Sequence, residues 1–202
     1  PKMDFSTLPE SAAVRPVNQD NSPHQVLARL ILDRQSLRPG ETARLGLHLT
    51  QDEGWHTYWK SNVEVGQPTD IKWGLPDGYT STEYAYPIPQ RFDTEGIVSF
   101  GYDKEVLLFT NITVPEDAQP GPITLTATAG WLTCEKNCIP ASDVKLSLPV
   151  DVVAADTPDA SAAHPYAALF DHYTLQHPTP VDKIDSLSFE GALSKSAIKF
   201  DE

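Results

Sequence analysis

The sequence predicts an all-β fold, an immunoglobulin-like antiparallel β-sandwich with a C-terminal extension. Three observations carry that prediction, and they leave a barrel as the alternative, because strand patterns alone do not reveal how sheets close. Apolar and polar residues alternate over several short runs, Gly and Pro turns separate the runs, and the 18 prolines go with almost no 3.6-residue periodicity before residue 155. A chain of 202 residues suits one main domain plus an extension.

Residues 1–22 mix prolines with small and polar residues without a sustained period and read as a flexible N-terminal arm. From Gln25 two alternating runs follow, joined at Arg38-Pro39-Gly40-Glu41, where the Pro-Gly dipeptide marks a turn. In the second run Ala43, Leu45, Leu47 and Leu49 share one face, with Arg44, Gly46, His48 and Thr50 on the other, the pattern of a half-buried strand. Further strands are expected at TDIKWGL, STEYAYP, EVLLFTNITV, ITLTATAGWL and DVKLSLPVDVV, separated by PDG, PIPQRFDTEG and PEDAQPGP. The main domain so defined spans 23–154. Residues 155–180 read as a linker holding a short helix at AHPYAALFDHY, with Pro165 near its first turn. Residues 181–202 resume strand-like alternation, as the start of a second β unit or as accessory strands.

The formal charge of −13, from 15 Lys and Arg against 28 Asp and Glu, argues against nucleic acid as a partner, because its phosphates would be repelled. The acidic residues are scattered, as on a solvated surface, and a neutral or basic protein is the better-matched partner. No apolar run approaches the roughly 18 residues that span a bilayer, so direct membrane insertion is not expected. No charged start followed by an apolar stretch marks a signal peptide. Trp55, Trp59, Trp73 and Trp131 lie in patterned strands and read as core packing rather than as a sugar-stacking surface.

The chain holds two cysteines, Cys134 and Cys138, in GWLTCEKNCIP. The strand patterns on either side put the pair at the open end of a hairpin, near solvent, where an attacking thiolate has access. Bridging them closes a five-residue loop, worth roughly 2 kcal/mol of loop entropy, so stability is a weak reason for the pair. Four readings fit the spacing: a structural disulfide, a reactive pair, a metal site and unpaired thiols. Lys136 favours a neighbouring thiolate and Glu135 opposes it. No CxxC or HxxxH supplies a zinc site, whereas Cu(I) held by two thiolates needs no third ligand.

Three blocks together carry a resemblance: GWHTYWKSNVEVGQPTDIKWGLPDGY (54–79), YPIPQRFDTEGIVSFGYDKEVLLFTNITVP (86–115) and GWLTCEKNCIPASDVKLSLPV (130–150). Their order and spacing over residues 25–153 resemble the N-terminal periplasmic domain of the DsbD family of transmembrane thiol:disulfide interchange proteins, and within it the suppressor of copper sensitivity B (ScsB) branch. The resemblance implies an immunoglobulin-like redox domain over 23–154 whose catalytic residues are Cys134 and Cys138, with Cys138 attacking and Cys134 resolving. It implies a periplasmic location, as the N-terminal part of an inner-membrane protein. Electrons would come from the transmembrane and thioredoxin-like domains of the same full-length protein and pass to a thioredoxin-fold, disulfide isomerase-like partner, with no cofactor and no metal. It also implies an aromatic shield over the pair, matched by Phe92 or Phe100. Tyr58 would stand near the pair, and His56, on the same strand face, would serve as a proton partner. Two other functions fit the residues: a non-catalytic β-sandwich binding module with a structural disulfide, and Cu(I) binding through the Cys pair.

Overall fold

A computed structural model of the chain describes residues 3–60, 65–94, 96–157 and 164–178. The expected strands at 181–202 lie outside the described residues. The fold is an immunoglobulin-like β-sandwich of two antiparallel sheets, extended at its C-terminal end by a helix.

The first sheet is built on β2 (Val26–Leu32), β3 (Thr42–Gln51) and β9 (Glu105–Thr113), flanked by the two-residue strands β1 (Ala13–Val14) and β6 (Thr80–Ser81) in the order β1-β2-β3-β9-β6. The second runs β11-β10-β4-β8-β7, from β11 (Cys138–Val152) and β10 (Gly121–Cys134) through β4 (His56–Tyr58) to β8 (Ile97–Asp103) and β7 (Gln90–Thr94). β5 (Asp70–Gly74) shares the β4 edge of β10, pairing lower down at Thr126–Gly130. The expected turn between β2 and β3 is present. Gly40 takes a φ of 74°, and its amide reaches the carbonyls of Val114 and Pro115.

Leu45, Leu47 and Leu49 of β3, with Val106 and Leu108 of β9, are fully buried and lie on the face toward the second sheet. The other face of β3 is also covered, which the alternation did not predict: Gly46 and His48 are buried rather than solvated. The helix α1 (Ala167–Thr174) lays Leu169, Phe170 and Tyr173 on this face. A Cβ on Gly46 would fall 2.9 Å from Phe170, so a side chain there would push the helix off. Phe5 stacks on His48 at 5.0 Å, with the Arg29 guanidinium 4.4 Å from the Phe5 ring. An eight-residue helix is too short to persist alone, and this burial supplies what holds it, together with the ion pair from Arg44 to Asp171.

Two expectations about strands changed. STEYAYP joins a ladder only at its first residue, in Thr80–Ser81, with one isolated bridge from Ala85 to Phe109 beyond it, and the hydroxyls of Tyr84 and Tyr86 both donate to the Thr69 carbonyl. Prolines 87 and 89 withhold amide donors, so side chains rather than a ladder fix this stretch. PIPQRFDTEG, expected as a connection, instead supplies β7, which forms a hairpin with β8 through Gly96 at a φ of 85°. Its polar residues Gln90, Arg91 and Asp93 disguise it because it is an edge strand, where charge is tolerated. Trp131 is fully in the core, whereas Trp59 and Trp73 pack partly buried against it.

Candidate functional site

β10 and β11 form the longest hairpin of the fold, and its ladder closes on the pair Cys134 and Cys138. The two are bridged. The turn beyond them is Glu135-Lys136-Asn137, so the pair sits at the closed end of the hairpin rather than at an open one. A bulge between Ala129 and Trp131 shifts the register and bends the tip. The two sulfurs are not equivalent: Cys134 is 3% exposed, whereas Cys138 is open to solvent.

β4 positions the side chains beside the bridge. It is short, but both of its edges are paired: Cys134 faces His56 from β10, and Asp103 faces His56 from β8. The Thr133 hydroxyl donates to the His56 carbonyl at 3.0 Å, and the Gln51 side-chain amide donates to the Thr57 hydroxyl at 3.0 Å. Gly101 permits the contact with β8, since a Cβ there would lie 1.9 Å from the Thr57 carbonyl oxygen. Directly opposed residues share a face of the sheet, so Cys138, Cys134, His56 and Asp103 form one row across β11, β10, β4 and β8. Gln90 donates to the Asp103 carboxylate at 2.8 Å and anchors the end of the row.

Of the residues singled out from sequence, Tyr58 places its hydroxyl oxygen 3.9 Å from Cys138 Sγ. The Tyr58 ring is buried under Gly66, where an added Cβ would lie 2.2 Å from it. Burial pushes the Tyr58 phenol above its usual range, so it remains a hydroxyl donor. The His56 ring stacks on Phe92 at 4.5 Å and 17°, and stands edge-on to Tyr58 at 5.2 Å. Phe92 therefore lies on the disulfide face. Phe100 lies on the opposite face of β8, one residue out of phase with Ser99, the partner of Phe92. His56 is 8% exposed, and this burial lowers its pKa, opposed by the Asp103 carboxylate.

His56 and Phe92 also line a cleft of about 870 Å³ that runs from the hairpin tip to α1. Asp52, Glu53, Asp93, Asp103, Glu105 and Glu135 line it with a single lysine, Lys104, so its field is negative. The Tyr173 hydroxyl donates to the Glu105 carbonyl at 3.0 Å and closes the far wall. Sequence reasoning missed Asp103, Gly66 and Gly101. The glycines carried a signal in their type alone, and Asp103 carried none, because its place in the row depends on register.

Among the described residues no helix is long and apolar enough to cross a membrane, and no group of three or more His, Cys, Asp or Glu residues is arranged to hold a metal ion.

No curated protein matches the chain. Among solved structures, the N-terminal periplasmic domain of ScsB from Proteus mirabilis superposes with a TM-score of 0.55 at 23% identity, covering 84% of this chain and 59% of that one. The chain thus spans about three fifths of that neighbour's length, and the likeness bears on the fold. The PapD-like domain 7 of human CEP192 aligns at 15% identity over 77% of this chain and 100% of that one, with a TM-score of 0.27, too low to bear on the fold. The model of the family described as thiol:disulfide interchange protein DsbD, N-terminal, matches residues 28–149, more than half of the chain and nearly all of the hairpin that carries Cys134 and Cys138, and the chain belongs to that family.

Proposed function

We propose that the chain is a periplasmic thiol:disulfide exchange module that accepts electrons from a membrane electron-transfer protein and passes them to a thioredoxin-fold partner. The observation that carries this reading is the asymmetry of the bridge: Cys138 is exposed at a hairpin tip while Cys134 is buried behind it. Exchange requires one sulfur that a partner can reach and a second that is held close enough to resolve the mixed disulfide. Family membership supports the same chemistry, and the five-residue loop makes a purely stabilising bridge a poor alternative.

In the forward direction the Cys138 thiolate attacks the partner's disulfide, forms a mixed disulfide and releases one partner thiolate, which takes up a proton. The Cys134 thiolate then attacks Cys138 Sγ, restoring the bridge and releasing the second partner thiolate. Two electrons and two protons leave the module for the partner, and no cofactor enters. The negative cleft beside the tip favours a partner whose docking face is neutral or basic.

The test uses single-cysteine variants with a disulfide isomerase of thioredoxin fold. Cys134→Ala should accumulate a mixed disulfide through Cys138, and Cys138→Ala should not. Equal trapping by both variants, or by neither, would contradict the assignment of roles.

A further inference from the structure

We propose that His56 is the base that takes the proton from Cys134 in the resolving step, with Asp103 as its positioning residue. The inference rests on the exchange chemistry proposed above and names the group that activates its second thiol.

The need for a base follows from burial. Cys134 is 3% exposed, and burial disfavours a thiolate, yet only the thiolate attacks the mixed disulfide. Solvent gives little help at so enclosed a sulfur. The register supplies the candidate. His56 is the direct cross-strand partner of Cys134, and opposed residues of an antiparallel pair hold their Cβ atoms about 4.5–5.5 Å apart on one face. On its other side His56 is the direct partner of Asp103, so thiol, imidazole and carboxylate follow one another across three adjacent strands. Three further contacts fix the ring and the row: Phe92 stacked on the imidazole, Tyr58 edge-on to it, and Gln90 bonded to Asp103.

The charged groups that line the cleft with His56 are Asp103 from β8, Asp93 from β7, Glu135 from the hairpin turn, Asp52 and Glu53 ahead of β4, Lys104 beyond β8 and Glu105 at the start of β9. Of these the Asp103 carboxylate acts on the ring and favours the imidazolium once it forms. Burial acts the other way and keeps the resting ring neutral, ready to accept. In the step itself the Cys134 thiol gives its proton to the imidazole, and the resulting thiolate attacks Cys138 Sγ. The Cys134–Cys138 bond forms, the bond from Cys138 to the partner sulfur breaks, and the departing partner thiolate takes the proton from the imidazolium. The residue returns neutral, and atoms and electrons balance.

The experiment follows the two steps separately with glutathione disulfide as probe, acid-quenching the reduced 202-residue chain and reading the mixed disulfide by intact mass. The first step is read in Cys134→Ala, where the adduct cannot resolve. The second is the decay of the adduct in the chain with both cysteines, between about pH 5 and 9, spanning the imidazole and thiol ranges. His56→Phe keeps an aromatic ring against Phe92, and His56→Gln keeps polarity; neither can take the proton. Both should slow resolution near neutral pH on the order of 100-fold and move its pH inflection up into the thiol range, leaving the first step at its original rate. Asp103→Asn should slow resolution less and lower the inflection. Should His56→Phe fail to fold, His56→Gln and Asp103→Asn carry the same comparison. Resolution at the original rate with the original pH profile in the His56 variants would overturn the proposal, as would an equal slowing of both steps, which marks a structural role. Failure of Cys134→Ala to form any adduct would instead overturn the exchange function, and this role with it.

Discussion

Removing the Tyr58 hydroxyl should raise the pKa of the Cys138 thiol in the reduced protein. Tyr58→Phe is a clean perturbation because the ring is 3% exposed and enclosed by Gly66, so the phenylalanine keeps the same packing. What is lost is the hydroxyl 3.9 Å from Cys138 Sγ, a donor that burial keeps protonated. A hydrogen bond to a charged acceptor is worth about 1.5–3 kcal/mol at good geometry, and a contact this long to a diffuse sulfur is worth about 0.5–1 kcal/mol. At 1.36 kcal/mol per unit, the thiol pKa should rise by about 0.4–0.7. The assay is the rate of iodoacetamide alkylation against pH in the Cys134→Ala background, where Cys138 is the one thiol. Below the pKa the rate should fall about 2- to 5-fold in Tyr58→Phe, with its unfolding midpoint as the control for packing. An unchanged or lowered pKa would show that the hydroxyl does not serve the thiolate, and would remove Tyr58 from the site.

Three further outcomes test the scaffold. Gly101→Ala would drive a Cβ to 1.9 Å from the Thr57 carbonyl oxygen, so it should destabilise the fold by about 3 kcal/mol or more in urea unfolding; a neutral result would contradict the close pairing of β4 and β8. Phe170→Ala removes a fully buried ring that meets Phe109 at 5.4 Å, and should cost about 3–5 kcal/mol, whereas a helix resting loosely on the sheet would lose little. Burial is the leading cause that lowers the pKa of His24, His48, His56, His164 and His177. Each takes up protons more readily when unfolded, so their contribution to stability is present above about pH 6.5 and is lost as the pH falls through the lowered folded values. Urea midpoints should therefore drop from about pH 7 to pH 5, and a flat profile would contradict the burial of these rings.

Much of the scaffold was legible because strand signals are local. The alternation of Ala43 to Leu49 and of Val144 to Val152 marks strands whichever residues they pair with, and Pro39-Gly40 marks the turn between two of them. Burial on the outer face of β3 was not legible. Gly46 and His48 look like a solvent face until Phe170 and Phe5, distant in sequence, are laid over them. β7 was hidden for a related reason, since an edge strand tolerates the charges that made RFDTEG look like a loop. At the site the sequence identified the cysteines and the family motif, and alternation put His56 and Tyr58 on one face. It offered no way to choose Phe92 over Phe100, because that depends on which face of β8 each residue pairs with. The row through Asp103 was closed for the same reason: alternation sets the face of a strand, whereas register across residues 56, 103 and 134 is a property of the assembled sheet.

The central claim, that the hairpin tip carries a working disulfide, is tested most directly by the redox equilibrium of Cys134 and Cys138 in defined glutathione buffers, read by counting alkylated thiols by mass. The expected potential lies well above roughly −300 mV, with exchange in the folded protein on the scale of seconds to minutes. A bridge that resists reduction until the chain unfolds would contradict it, leaving a β-sandwich whose disulfide is a staple.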